Sequence, residues 1–95
     1  MSKKLNWLEG FINDVTEVEA IKIDSKKTIY KALLTFETED GQVAYFEIRK
    51  KVIDIIKTAQ ITTGSKVKIG YVFMGSSKGD KVYNNLYINE IAHVD

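Results

Sequence analysis

The segment from Lys31 to Arg49, KALLTFETEDGQVAYFEIR, constrains this chain more than any other stretch. Two runs of alternating apolar and polar residues flank a glycine turn, and a pleated strand sends successive side chains to opposite faces. If Asp40-Gly41 closed a two-residue turn, Glu47 would face Leu34 and Thr35 would face Phe46, mixing charged or polar residues with apolar ones on both faces. A three-residue loop of Glu39, Asp40 and Gly41, with Gly41 at positive φ as a bulge, instead sets Ala32, Leu34 and Phe36 against Ile48, Phe46 and Ala44. The pattern therefore predicts the longer loop, with that apolar face in the core. The outward face then carries Lys31, Leu33 and Thr35 opposite Arg49, Glu47 and Tyr45. Two cations stand at one end of it, where they are expected to repel each other, and an aromatic ring stands near the middle.

The elements around this hairpin follow from period and punctuation. A long first strand is expected from about Leu5 to Ile23, with Gly10 allowing a close approach or a kink, Leu8 and Ile12 on one side and Trp7, Glu9, Phe11 and Asn13 outward. Its parity slips past Asp14, which predicts a bulge there, and Asp24 to Thr28 reads as a loop. Between Lys51 and Gln60 the period changes: Val52, Ile55, Ile56 and Ala59 lie on one stripe of a short helix that must be docked to persist. Thr63-Gly64-Ser65 leads into a fourth strand in which Val67, Ile69, Tyr71 and Phe73 alternate. The segment Gly75 to Lys81 reads as a flexible loop. In a fifth strand from Val82, Leu86 and Ile88 point inward, Asn85, Tyr87 and Asn89 point outward, and Ile91 adds an apolar contact. Three strands, a helix and two strands make the order of an all-β, five-stranded Greek-key OB barrel, its helix between strands 3 and 4 and plugging the barrel bottom. A small open sandwich or an SH3-like barrel would also satisfy the periodicity.

With 95 residues the chain is read as a single OB-fold domain over 1–95, because smaller pieces would bury too little surface to fold. Its 44% apolar and 28% charged residues are ordinary for a globular domain. No run approaches the roughly 18 apolar residues of a membrane span. Lys3, Lys4, Asn6 and Glu9 interrupt any signal-peptide pattern, and zero cysteines suit a reducing compartment, so a cytoplasmic protein is expected. A net charge of +1 excludes the strongly basic composition that announces phosphate binding, leaving only local basic clusters at Lys3-Lys4, at Lys22, Lys26-Lys27 and Lys31, and at Arg49-Lys50-Lys51.

Several chemistries find no support. His93 is the sole histidine, and with no cysteine it has no partners for a transition-metal site. Gly75-Ser-Ser-Lys78-Gly79 lacks the Gly-Lys-Ser/Thr ending of a phosphate loop and joins two strands. Asp14, Glu17 and Glu19 lack the glycine pattern of a cation loop. No nucleophile, base and orienting acid stand at recognisable spacing. A protein without enzymatic activity, cofactor or metal is expected.

The run Gly10-Phe11-Ile12, the hairpin FETEDGQVAYFEI, the strand GSKVKIGYVF and the closing KVYNNLYINEI resemble small bacterial and phage OB domains related to single-stranded-DNA-binding proteins. The likeness spans about Leu8 to Ile91. It implies a single strand lying across the outer face of the second and third strands, between the loops that follow the first and fourth. The acidic, phenylalanine-ended tail of the bacterial proteins has no counterpart in Ile91-Ala-His-Val-Asp95, so its role in recruiting partners is not expected here.

The expected function is binding of single-stranded nucleic acid, DNA in preference to RNA. Tyr45 would stack on a base, Lys31 and Arg49 would meet phosphates, and Trp7 and Phe11 would extend the surface. Lys26 and Lys27 in one loop and Lys78 and Lys81 in another would flank the groove. The alternative is a protein-interaction or oligomerisation module in DNA replication or repair, built on Trp7, Phe11, Leu33 and Tyr45. A homodimer or higher homo-oligomer is compatible with both.

Overall fold

The structure, a computed structural model, describes residues 4–94; Lys3, one of the residues expected to interrupt a signal-peptide pattern, lies outside the described residues. Six strands and one helix follow in the order β1 (Asn6–Val15), β2 (Glu19–Lys22), β3 (Thr28–Thr38), β4 (Val43–Arg49), α1 (Lys50–Thr58), β5 (Lys66–Lys78) and β6 (Lys81–His93). The fold is mostly β with one short helix.

The hairpin β3–β4 adopts the longer-loop register, with Ala32, Leu34 and Phe36 opposite Ile48, Phe46 and Ala44. Thr38 N donates to Gln42 O at 2.8 Å, Gly41 N donates to Thr38 O at 3.0 Å, and Gly41 takes a φ of 88°. The Asp40 carboxylate accepts hydrogen bonds from the Thr38 hydroxyl and, at 2.8 Å, from Gln42 Nε2. These two bonds hold its pKa below the usual carboxylate value. The turn is thus fastened by its own side chains, and that stability is present while Asp40 is ionised.

The expected long first strand is two strands. β1 pairs with β5 from Asn6 to Phe11 and with β3 from Gly10 to Val15, so Gly10 stands where the two pairings overlap. A Cβ there would lie 2.4 Å from Glu37 O and 2.7 Å from the Phe36 ring, so glycine is required by close approach. The bulge falls between Ile12 and Asp14, just before the expected place, and returns Val15 to a position opposite Leu34. The chain then breaks at Thr16, whose N–H donates to Leu33 O and whose hydroxyl accepts from Leu33 N, both at 2.9 Å. Only after this break does β2 pair with β3 as a separate hairpin.

The strand order is β1-β5-β6-β4-β3-β2, with the additional β1–β3 pairing. β6 meets β4 in parallel at the pair Glu47 and Tyr87. The core comprises Ile12, Ala32, Leu34, Phe36, Phe46, Ile48, Val52, Ile53, Ile61, Val67, Ile69, Ile88 and Ile91, and among the described residues no polar or charged residue is buried. Its aromatic centre is an edge-to-face pair, Phe36 on Phe46, with ring centroids 5.9 Å apart. A register shift in β6 between Ile88 and Glu90 explains why both Ile88 and Ile91, three residues apart, face inward.

The helix follows β4 directly and packs on β3, β4 and β6. Because the first expected strand is split, it falls between β4 and β5 in the observed numbering. Its buried residues are Val52 and Ile53, while Ile55 and Ile56 are half-buried and Ala59 is an exposed C-cap. The docked face is therefore rotated from the expected stripe toward Ile53. Beyond the cap, Gln60 at φ 55° turns the chain so that Ile61 enters the core.

The segment Gly75 to Lys81 is not a flexible loop. β5 and β6 remain paired to Lys78 opposite Lys81, closed by the two-residue turn Gly79-Asp80. This arm outruns β1, whose pairing with β5 ends at Asn6 opposite Tyr71. Phe73, expected to continue the core alternation, is consequently 66% exposed.

Candidate nucleic-acid interface

The outward row of β3–β4 follows from the register. Lys31 stands opposite Arg49, Leu33 opposite Glu47, Thr35 opposite Tyr45 and Glu37 opposite Val43. Because the other face fills the core with Leu34, Phe36, Phe46 and Ile48, these side chains have no inward alternative. Tyr45 is 60% exposed, with its neighbours Leu33 and Val43 also open to solvent. A ring so presented on a rigid hairpin offers a π-face to a planar ligand.

The two cations do not simply face each other. Glu47 lies between Tyr45 and Arg49 on β4, and its carboxylate Oε2 accepts from Arg49 Nε while Oε1 stands 4.0 Å from Lys31 Nζ. The expected repulsion between Lys31 and Arg49 is thus answered by a shared counter-ion. Arg49 also lies over the Tyr87 ring, 5.2 Å from its centroid. The hydrogen bond to Glu47, with the attraction of its charge and of Tyr87, raises the guanidinium pKa above its usual value despite partial burial. A cleft of about 590 Å³ opens beside this group, lined by Thr16, Glu17, Glu19, Lys31, Leu33 and Glu47 among others.

The remaining candidates occupy distinct places. Lys26 and Lys27 sit in the exposed turn between β2 and β3, where Lys26 N donates to Asp24 Oδ1 at 2.7 Å and Lys27 O accepts from Ile23 N at 2.9 Å. At about 3.3 Å per residue they lie roughly 13–17 Å along the chain from Lys31, at the Arg49 end of the hairpin. Lys78 and Lys81 are paired at the tip of the β5–β6 arm. Since β6 runs parallel to β4 where they meet, that arm leaves the sheet toward the Val43 end of β4. The two lysine pairs therefore belong to opposite ends of the Tyr45 face.

Phe11 is half-buried, opposite Glu37 on one side and Lys66 on the other, with Lys66 Nζ 6.0 Å from its ring centroid. Lys66 itself bridges to Glu39 at 2.8 Å. Phe11 thus adjoins the hairpin face at its margin. Trp7 is not brought to that face. At its position β1 pairs only with β5, opposite Gly70, and the half-exposed indole carries Lys68 Nζ at 5.0 Å from its ring centroid. His93 closes the other end of β6, its Nε2 2.7 Å from the Ala59 carbonyl oxygen.

The arm also holds residues that sequence reasoning passed over. Phe73, Val82 and Tyr83 are exposed on it, and Tyr71 links Phe73 to the core through edge-on contacts with Phe46 at 5.1 Å and Phe73 at 5.6 Å. The signal was present in Gly79-Asp80, a two-residue turn pair flanked by alternating residues.

This geometry can be set beside solved structures. The small single-stranded DNA-binding protein from Streptomyces coelicolor matches over 99% of this chain and 96% of its own, with a TM-score of 0.56 and 9% sequence identity. The chain has the fold of a single-stranded-DNA-binding protein. A Plasmodium falciparum SSB, solved in complex with ssDNA, matches over 100% of this chain and 97% of its own, at a TM-score of 0.49 and 12% identity. No protein-family model and no curated protein sequence matches the chain.

Proposed function

We propose that this chain is a Greek-key OB barrel that binds single-stranded DNA, without enzymatic activity, on the outer face of β3–β4. The observation that carries the reading is Tyr45, 60% exposed in the outward row of a hairpin whose opposite face is core, with Lys31 and Arg49 in the same row. Bases stack on Tyr45 and phosphates pass along Lys31 and Arg49, a combination that recognises single strands and tolerates any sequence. Lys26 and Lys27 receive the strand at one end of the face. Lys78 and Lys81 receive it at the other, where Tyr83, on the same face of the arm as both lysines, adds a ring. Phe11 borders this path, and Trp7 serves a strand that continues round β1. The shared fold with a DNA-binding protein supports DNA as the ligand over RNA.

Fluorescence anisotropy with labelled oligo-dT, oligo-rU and a duplex of equal length, at two salt concentrations, tests the reading. Oligo-dT binds more tightly than oligo-rU, duplex binds least, and affinity falls as salt rises. Equal binding of duplex and single strand, or none at low salt, refutes it.

One observation favours a second reading, an interface between copies of this chain. β2 ends the strand order, and Val18, Ile21, Ile23 and Leu33 near it are exposed. Such an apolar edge invites a partner strand. A salt titration separates the two, because phosphate binding weakens steeply as salt rises while an apolar interface does not; a homo-oligomer on its own is compatible with both.

A further inference from the structure

We infer that Glu47 is a built-in competitor of phosphate, which makes the Tyr45 face respond to a base and a phosphate together and not to a polyanion alone. The inference rests on the proposed single-strand reading. Glu47 occupies the one outward position on β4 between the ring and the guanidinium, and it engages Arg49 directly and Lys31 at 4.0 Å. Its side chain is only 19% exposed, less than those of Lys31 and Arg49, so it is held down among its partners and does not wave in solvent. Glu17 and Glu19 line the same cleft as Lys31 and Glu47, so the approach to Lys31 passes carboxylates on two sides.

A phosphate reaching Arg49 therefore meets a guanidinium already occupied at Nε and a charge of its own sign beside it. It either displaces the carboxylate from Nε or binds the remaining N–H groups against the repulsion of Glu47; a displaced Glu47 gathers cations from solution, which subtracts from the counter-ions that DNA releases. An anion without bases gains too little from that exchange. A nucleic-acid strand gains stacking on Tyr45, the adjacent residue of the outward row, and this offsets the opening of the ion pairs. Near-neutral net charge and a guarded pair of cations have the same consequence: polyanions that lack bases are poor ligands.

The test compares the full chain with Glu47→Gln, Arg49→Gln and the double variant, using labelled oligo-dT, with unlabelled inorganic polyphosphate as competitor. Glutamine keeps the size of the side chain and removes its charge. Glu47→Gln is expected to tighten oligo-dT binding about threefold to tenfold at low salt, from the loss of the competing ion pairs. It is also expected to steepen the log–log salt slope by about 0.7, one phosphate contact on a single strand. Polyphosphate, a weak competitor for the native chain, becomes an effective one for Glu47→Gln, and both gains vanish when Arg49 is also glutamine. Unchanged or weaker binding by Glu47→Gln overturns the inference, weaker binding meaning that Glu47 orients Arg49 for its ligand. In that event a loss on Tyr45→Ala leaves the single-strand reading standing. Absence of oligo-dT binding by every variant at low salt overturns both.

Discussion

Replacing Tyr45 with alanine separates a binding ring from a structural one. The side chain is 60% exposed and sits opposite Thr35, so folding loses only the cross-strand pair and the buried minority of the ring. A pair of this kind is worth roughly 0.2–1 kcal/mol. For a domain of this size that lowers the melting temperature by at most about 8 °C. The binding side is larger. A stacked base contributes about 1–3 kcal/mol, or roughly five- to 150-fold in affinity, and a loss of more than about tenfold is expected. Anisotropy with labelled oligo-dT measures the second quantity and a thermal melt the first, on the same preparation. Tyr45→Phe is the control, since it keeps the π-face and removes only the hydroxyl, and it is expected to bind as the native chain does. The reasoning is refuted if Tyr45→Ala binds with native affinity, or if stability falls by as much as binding does, because then the ring serves the sheet.

Replacing both Lys31 and Arg49 with glutamine is expected to weaken single-strand binding irrespective of sequence and to flatten the salt slope by about 0.7 per lost phosphate contact. Because Glu47 loses both partners, stability is expected to hold or fall slightly; a clear rise on a urea melt would show that the cations repel after all. Gly10→Ala places a methyl group against the Glu37 carbonyl and the Phe36 ring, and is expected to cost about 1–3 kcal/mol on a denaturant melt, with a cost under about 0.5 kcal/mol contradicting the close approach. Asp40, held by Thr38 and Gln42, is expected to titrate below its ordinary value of 3.8. Its contribution to the turn is then complete above the unfolded value and is lost as pH falls through the lower folded one. An NMR titration that places Asp40 at or above 3.8 would contradict those bonds.

How much of this was legible in the sequence depended on whether a wrong choice would have been penalised locally. The hairpin register was readable because the shorter turn would have put Glu47 against Leu34, an error that every residue of both strands would share. Gly10 was readable as a special point, although its reason, two pairings overlapping on one residue, needed the topology. The helix face was less so. Val52, Ile53, Ile55 and Ile56 are all apolar and cover more of the helix than one stripe, so only packing against β3, β4 and β6 selects Val52 and Ile53. The fate of Phe73 lay outside its own segment entirely. Alternation places it on the parity of Tyr71, but exposure depends on the pairing of β5 with β1, which ends at Asn6, far earlier in the chain.

The candidate site divides along the same line. Which residues face outward on β3–β4 followed from parity, and Tyr45, Lys31 and Arg49 are together on that face. What those residues do to one another did not follow, because the opposite-residue rule pairs Lys31 with Arg49 and hides the diagonal. Glu47 is two residues from Arg49 on the same face and diagonal to Lys31, within reach of both long side chains. Reading the diagonals as well as the rungs turns an apparent cationic pair into a guarded one. It also changes what net charge means here. On the proposed reading, a chain at +1 can still present cations to phosphate where a ligand brings binding energy of another kind to offset the carboxylate that neutralises them, and the exposed ring of Tyr45 stands in the same outward row.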